Sequence, residues 1–162
     1  MTNRMSVTAP CLAVMGLAMA LTACNQKPTE SIRDMMVGRV QPTAQTYWNA
    51  VQYISDEKGT HNIVPRNAAE WDRTRKAAED LSDYGRQLQT RAYSQGRGED
   101  WNQFAQGLVD IGAAAADAAR SRNPDAVFDA GASVYNVCAA CHQVYLPRTT
   151  SSTKAPVIEG PQ

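Results

Sequence analysis

Apolar side chains recur three or four positions apart along most of this chain, and that spacing predicts amphipathic helices. The predicted helices cover about residues 31–55, 67–91, 99–121 and 123–146. Between the first two, residues 56–66 carry Gly59 and Pro65 and are predicted to form a loop. Four helices of about 20 residues with short connections favour an all-α fold, an antiparallel up-down-up-down four-helix bundle.

Individual residues refine the predictions for the first and the fourth helix. Pro42 lies inside the first helix, and because proline has no amide hydrogen we expect a kink or break near Gly38. Asn123 and Pro124 form a favourable helix start. The inward stripe of the fourth helix is then Val127, Gly131, Val134, Cys138, Cys141 and Tyr145.

The first residues are typical of an export signal. One cation, Arg4, precedes an apolar run over residues 11–21, which is shorter than the roughly 20 residues needed to span a bilayer. The run ends in Leu-Thr-Ala-Cys24, which resembles a bacterial lipobox and implies a lipid on Cys24. The alternative is an ordinary signal peptide in which Cys24 is incidental.

Four segments follow from this pattern. We predict a lipoprotein signal peptide over residues 1–23 and a lipidated tether over 24–30. A helical domain over 31–148 and a flexible C-terminal tail over 149–162 complete the chain. The expected location is the periplasmic side of a bacterial membrane, with the lipid on Cys24 as the anchor.

Composition and charge exclude several classes of protein. The 162 residues carry 16 Lys and Arg against 16 Asp and Glu, and this balance argues against a nucleic-acid partner. Hydrophobic residues make up 43% and charged residues 20%, as in ordinary globular domains. No nucleophile–base pair or acid–base dyad is recognisable, so we do not expect an enzyme.

The candidate chemistry is the sequence Cys138-Ala-Ala-Cys141-His142. CxxCH is the attachment motif of haem c, in which both thiols bond to the vinyl groups and the histidine ligates iron. We therefore expect one covalent haem c. A thioredoxin-like site would need a strand before it, and no strand pattern is recognisable. Zinc would need four ligands, and outside the motif the chain offers only His61 and carboxylates. A structural disulfide would not require the histidine.

With CxxCH on the last of four helices, residues 32–148 resemble the cytochrome c′ / cytochrome c556 family, the class II c-type cytochromes. The resemblance implies a haem inside the bundle, thioether bonds to Cys138 and Cys141, and His142 as the proximal ligand. Tyr145 matches an aromatic residue commonly found three positions after that histidine.

The family divides at the distal face of the haem. A Met from the first helix gives a six-coordinate electron carrier, whereas an apolar side chain leaves a five-coordinate iron that binds nitric oxide or carbon monoxide. Met36 lies on the inward stripe with Val40, and Met35 lies about 100° round, next to Arg39. Met36 is therefore the expected distal ligand, Met35 the second choice and His61 a third; Met36 could also be plain core.

The resemblance implies an electron carrier that exchanges with a periplasmic or membrane redox partner protein. A homodimer is left open. The rival functions are a five-coordinate protein that captures nitric oxide or carbon monoxide, and a non-haem interaction lipoprotein in which CxxCH is an accident.

Overall fold

The computed structural model describes residue 28 and residues 30–146, and this part of the chain is mainly helical. The prediction of an all-α class is consistent with it. In chain order the helical elements are α1 (Ile32–Met35), a π-helical segment (Met36–Val40), α2 (Gln41–Trp48), α3 (Ala68–Gln89), α4 (Arg91–Ser94), α5 (Glu99–Arg120) and α6 (Pro124–Tyr145). A hairpin of β1 (Gln52–Asp56) and β2 (Gly59–Ile63) separates α2 from α3.

The long helices begin where side chains can satisfy free backbone amides. At the start of α3 the Asn67 side chain accepts from the Glu70 amide at 3.0 Å, and Glu70 in turn accepts from the Arg66 amide at 2.6 Å. At the start of α6 the Asn123 side chain accepts from the Ala126 amide at 3.2 Å. Both caps confirm predicted helix starts.

The first predicted helix is continuous from α1 through the π-helical segment into α2, and we call residues 32–48 the N-terminal helix. Pro42 has no amide hydrogen to offer the Gly38 carbonyl, and the Gln41 amide bonds to the Met36 carbonyl five residues back. The predicted disturbance near Gly38 is therefore a π-helical turn rather than a break.

This turn corrects the predicted orientation of Met35. A π turn places residues five apart on the same face, so Met35, not Met36, continues the buried stripe of Val40 and Ala44. Met35 is completely buried, whereas Met36 is half-buried. The prediction that Met35 turns towards the Arg39 face was wrong, because it assumed an unbroken 3.6-residue period.

The hairpin corrects two further predictions. The first helix was expected to reach Ser55 and residues 56–66 to form a loop, but α2 ends at Trp48 and Gln52 pairs with Ile63 in an antiparallel ladder. The Asp56 side chain accepts from the Lys58 amide at 2.8 Å, and Gly59 has a φ of +110°, which together close a tight turn.

Helices α3 and α5 pack with their backbones in close approach. A Cβ atom on Gly85 would lie 2.8 Å from the Ala105 carbonyl oxygen, and one on Gly112 would lie 2.6 Å from the Ser82 nitrogen. The Ser82 hydroxyl donates to the Val109 carbonyl at 2.9 Å across the same contact. The small residues of α5 near Gly112 thus serve contact between helices.

The N-terminal helix is held against α5 and α6 by two aromatic side chains. The Tyr47 hydroxyl donates to the Ala115 carbonyl at 3.2 Å, and the Trp48 indole donates to the Gly131 carbonyl at 2.9 Å. Among the described residues, no helix combines the length and apolarity needed to cross a lipid bilayer.

Candidate functional site

Three predicted site residues lie together on the last turns of α6. Cys138, Cys141 and His142 are three and four positions apart, so the helix presents them on one face. All three line a cavity of about 320 Å³. The two cysteines are half-buried and form no disulfide, and His142 is exposed.

The walls of this cavity come from every long helix. The N-terminal helix, α3 and α5 contribute apolar or aromatic side chains and the polar Gln41, and α6 adds Tyr135 and Val137 beside the cysteines. The lining residues from the other helices are Met36, Val40, Gln41, Ala44, Trp48, Leu88, Trp101, Phe104, Ala105 and Leu108. None of the described lining residues is a Lys, Arg, Asp or Glu. An apolar cavity with a few converging polar groups is the usual form of a cofactor site.

The structure separates the two candidate methionines. Met36 lines the same cavity as Cys138 and His142, so the predicted distal residue and the predicted proximal residue share one site. Met35 lies in the hydrophobic core with Val134 and is not part of the cavity wall.

His61 lies far from this site. It is exposed on β2 opposite Ile54. The hairpin contacts α6 near its start, where the Tyr53 hydroxyl bonds to Asp125 and the Tyr53 ring packs on Phe128 at a centroid distance of 5.0 Å. His142 is about 25 Å further along the helix axis, so the two histidines do not converge.

Tyr145 does not line the cavity but packs against two aromatic residues that do. Its ring packs edge-on against Trp101 at 4.9 Å between centroids and against Phe104 at 6.3 Å. Its hydroxyl donates to the Asp100 carboxylate at 2.7 Å, and this hydrogen bond raises the pKa of Tyr145. The Trp101 indole in turn donates to the Leu88 carbonyl at 2.8 Å, and this hydrogen bond fixes the Trp101 side chain in the cavity wall.

The environment keeps both thiols of the motif protonated at neutral pH. Burial in apolar surroundings raises the pKa of Cys138 and of Cys141 above the ordinary value of 9.0. For Cys141 the neighbouring Cys138 and the Asp100 carboxylate raise the pKa further.

Sequence reasoning missed part of the wall. Trp48, Gln41 and Tyr135 all line the cavity, and none of them was predicted to do so. Tyr135 lies three residues before Cys138 and so shares its helix face, a signal that the sequence does contain. No comparable signal in the sequence marked Gln41.

A larger cleft of about 710 Å³ lies elsewhere, between the end of α2, the hairpin and the start of α3. Its lining includes Arg66, Glu70 and Arg73 and none of the predicted site residues. We place the functional site in the smaller cavity because that cavity holds the thiols and the imidazole.

Cys24, the signal peptide and the predicted C-terminal tail lie outside the described residues. Within residues 30–146, no three His, Cys, Asp or Glu side chains cluster closely enough to hold a metal ion. Comparison of the chain with protein-family models, with curated proteins and with solved structures found no match.

Proposed function

We propose that this protein is a c-type cytochrome that holds one haem c in the cavity beside α6. Thioether bonds from Cys138 and Cys141 would attach it, and His142 would be its proximal ligand. One observation carries the proposal: the two thiols, the His142 imidazole and the Met36 thioether all line one uncharged apolar cavity. The finer fold that we propose is the antiparallel four-helix bundle of the class II c-type cytochromes.

The donor set of the cavity suits such a group. A haem needs a large apolar contact surface, and Trp48, Trp101 and Phe104 provide flat aromatic walls. It also needs only one or two protein ligands to iron, which here would come from two different helices: His142 on α6 and Met36 on the N-terminal helix.

The biological role that we propose is electron transfer. The haem, when bound, supplies one-electron redox chemistry. The residues of this chain orient it and exclude water, and both thioether ligation by Met36 and apolar walls favour a raised reduction potential. We place the protein on the periplasmic side of a bacterial membrane, anchored through lipid on Cys24, with a redox partner protein; a homodimer also fits.

The distal ligand is tested by two matched substitutions. Met36→Leu and Met35→Leu each remove a thioether while nearly conserving side-chain volume. We expect the weak far-red Met–iron absorption band of the ferric protein to disappear in Met36→Leu and to remain in Met35→Leu. An unchanged six-coordinate spectrum in Met36→Leu contradicts ligation by Met36.

A second candidate function is capture of nitric oxide or carbon monoxide. It is favoured by other apolar lining residues of the N-terminal helix, among them Val40 and Ala44, which cannot ligate iron. If Met36 only packs as part of the wall, the distal face is apolar and the iron five-coordinate. A high-spin ferrous spectrum with immediate uptake of carbon monoxide by the unmodified protein supports this function over electron transfer.

A further inference from the structure

Asp100 lies beside the helix turn that carries the CxxCH motif, although it does not line the cavity. Its Oδ1 atom accepts hydrogen bonds from the Tyr145 hydroxyl at 2.7 Å and from the Trp101 amide at 3.0 Å. Tyr145 follows His142 by less than one helical turn, so this hydrogen bond ties the end of α6 to the start of α5.

The local backbone leaves room for this carboxylate. A Cβ atom on Gly98 would lie 2.5 Å from Asp100 Oδ1 and 4.0 Å from the Tyr145 hydroxyl oxygen. Any larger residue at position 98 would therefore displace the carboxylate. The first turn of α5 also stabilises a negative charge through the helix dipole.

No cation of the described chain neutralises this charge. Asp100 forms no ion pair with a Lys or Arg of residues 30–146. The nearest arginine in sequence, Arg97, instead places its guanidinium 4.3 Å above the Trp101 ring and donates to the Tyr93 carbonyl at 2.5 Å. The charge lies close to the motif, because its hydrogen-bond partner Tyr145 packs against Trp101 and Phe104, which line the cavity.

We infer that Asp100 lowers the reduction potential of the haem attached at Cys141. The hydrogen bond from Tyr145 holds the carboxylate in place, and the absence of a Cβ atom at Gly98 makes room for it. This inference rests on the proposed function. An oxidised haem iron carries one more positive charge than a reduced one, so a fixed negative charge nearby stabilises the oxidised state. Asp100 then opposes the rise in potential that Met36 and the apolar walls favour, and Tyr145 acts as a positioning residue.

The test is the midpoint potential of the haem-loaded protein and three variants. Asp100→Asn removes the charge and keeps a hydrogen-bond acceptor, and we expect the one-electron equilibrium constant to shift roughly tenfold towards reduction, about 59 mV. Gly98→Ala keeps the charge but displaces it, and Tyr145→Phe keeps the ring but releases the carboxylate. Both should raise the potential by less than Asp100→Asn.

Glu99→Gln is the matched control, since it removes a neighbouring exposed acid from the same helix turn. It should shift the equilibrium constant less than threefold. The absorption spectra of all variants should match that of the unmodified protein, which shows that the iron ligands are intact.

The outcomes separate this inference from the proposed function. A haem-loaded protein in which Asp100→Asn and Glu99→Gln have equal potentials overturns the role of Asp100 and leaves the cytochrome proposal standing. A chain that carries no haem after expression with attachment machinery overturns both. A changed spectrum in Asp100→Asn assigns any shift to altered ligation and also overturns the inference.

Discussion

The two halves of α6 carry the same apolar stripe but differ in what covers it. In the first half, Val127, Gly131 and Val134 are buried, and Trp48 packs onto Gly131. In the second half no residue is buried, and Cys138 and Cys141 face a cavity instead.

The difference shows where the chain completes its own core and where it leaves space. Helical periodicity predicts which face of α6 turns inward along its whole length. It does not predict whether another side chain fills the facing volume. The second half of α6, which carries two thiols and an imidazole, has no buried residue and lines the cavity, and this is why we place a cofactor there.

The largest expected effect concerns the second half of α6, which faces the cavity and which we call the open half. Replacing both Cys138 and Cys141 by Ser removes the sulfur atoms that would form thioether bonds, so covalent haem should be lost completely. Haem staining of the denatured protein after gel electrophoresis measures this. Ser133→Ala, on the same helix before the motif, should stain like the unmodified protein. Staining of the double variant would contradict thioether attachment.

Alanine substitutions at two glycines of α5 compare the close contact between α3 and α5 with the open half of α6. Gly112→Ala should lower the free energy of unfolding by about 3 kcal/mol, because its Cβ meets the Ser82 backbone. Gly107→Ala faces Val137 at an ordinary 3.5 Å and should raise that energy by about 0.5–1 kcal/mol through helix propensity. Urea unfolding of both variants measures the pair. A lower free energy of unfolding in Gly107→Ala would show that the open half is packed as tightly as the contact between α3 and α5.

Two valines of α6 make the same comparison with smaller changes. Val134 is completely buried, so Val134→Ala should cost about 2 kcal/mol of unfolding free energy. Val137 is half-buried at the cavity wall, and Val137→Ala should cost about 1 kcal/mol or less. Equal losses in urea unfolding would remove the distinction between the two halves.

The smallest effect is a pH dependence of the haem-free chain. Because burial raises the pKa of both thiols above 9.0 in the folded state, their contribution to stability is complete below that value. It is lost as pH rises above 9.0 towards the folded-state values. The Cys138→Ser/Cys141→Ser variant should lose less stability between pH 8 and pH 10 in urea titrations. Parallel curves for the two proteins would contradict the burial of the thiols.

Much of the fold follows from local signals, and the exceptions have physical causes. The predicted starts of α3 and α6, which Asn67 and Asn123 cap, need only neighbouring residues, and the structure confirms them. The π turn adds one residue to a helical period, so counting by 3.6 assigned the buried place of Met35 to Met36. The hairpin was not predicted because Val51 and Ile54 also fit the apolar stripe of a helix.

The site was predictable only in part. The CxxCH motif placed Cys138, Cys141 and His142 together because all three share one helix. The cavity position of Trp48 and the bond between Tyr145 and Asp100 depend on how separate helices dock. Contacts of that kind join residues far apart in sequence, and no local pattern encodes them.

The most direct test of covalent haem attachment is the mass of one peptide. In the sequence, trypsin cleaves after Arg122 and next after Arg148, so a single peptide contains all of α6 and both cysteines of the motif. After expression with haem-attachment machinery, this peptide should carry the added mass of one haem. The same peptide at its bare mass, with both thiols free to alkylate, would contradict the account.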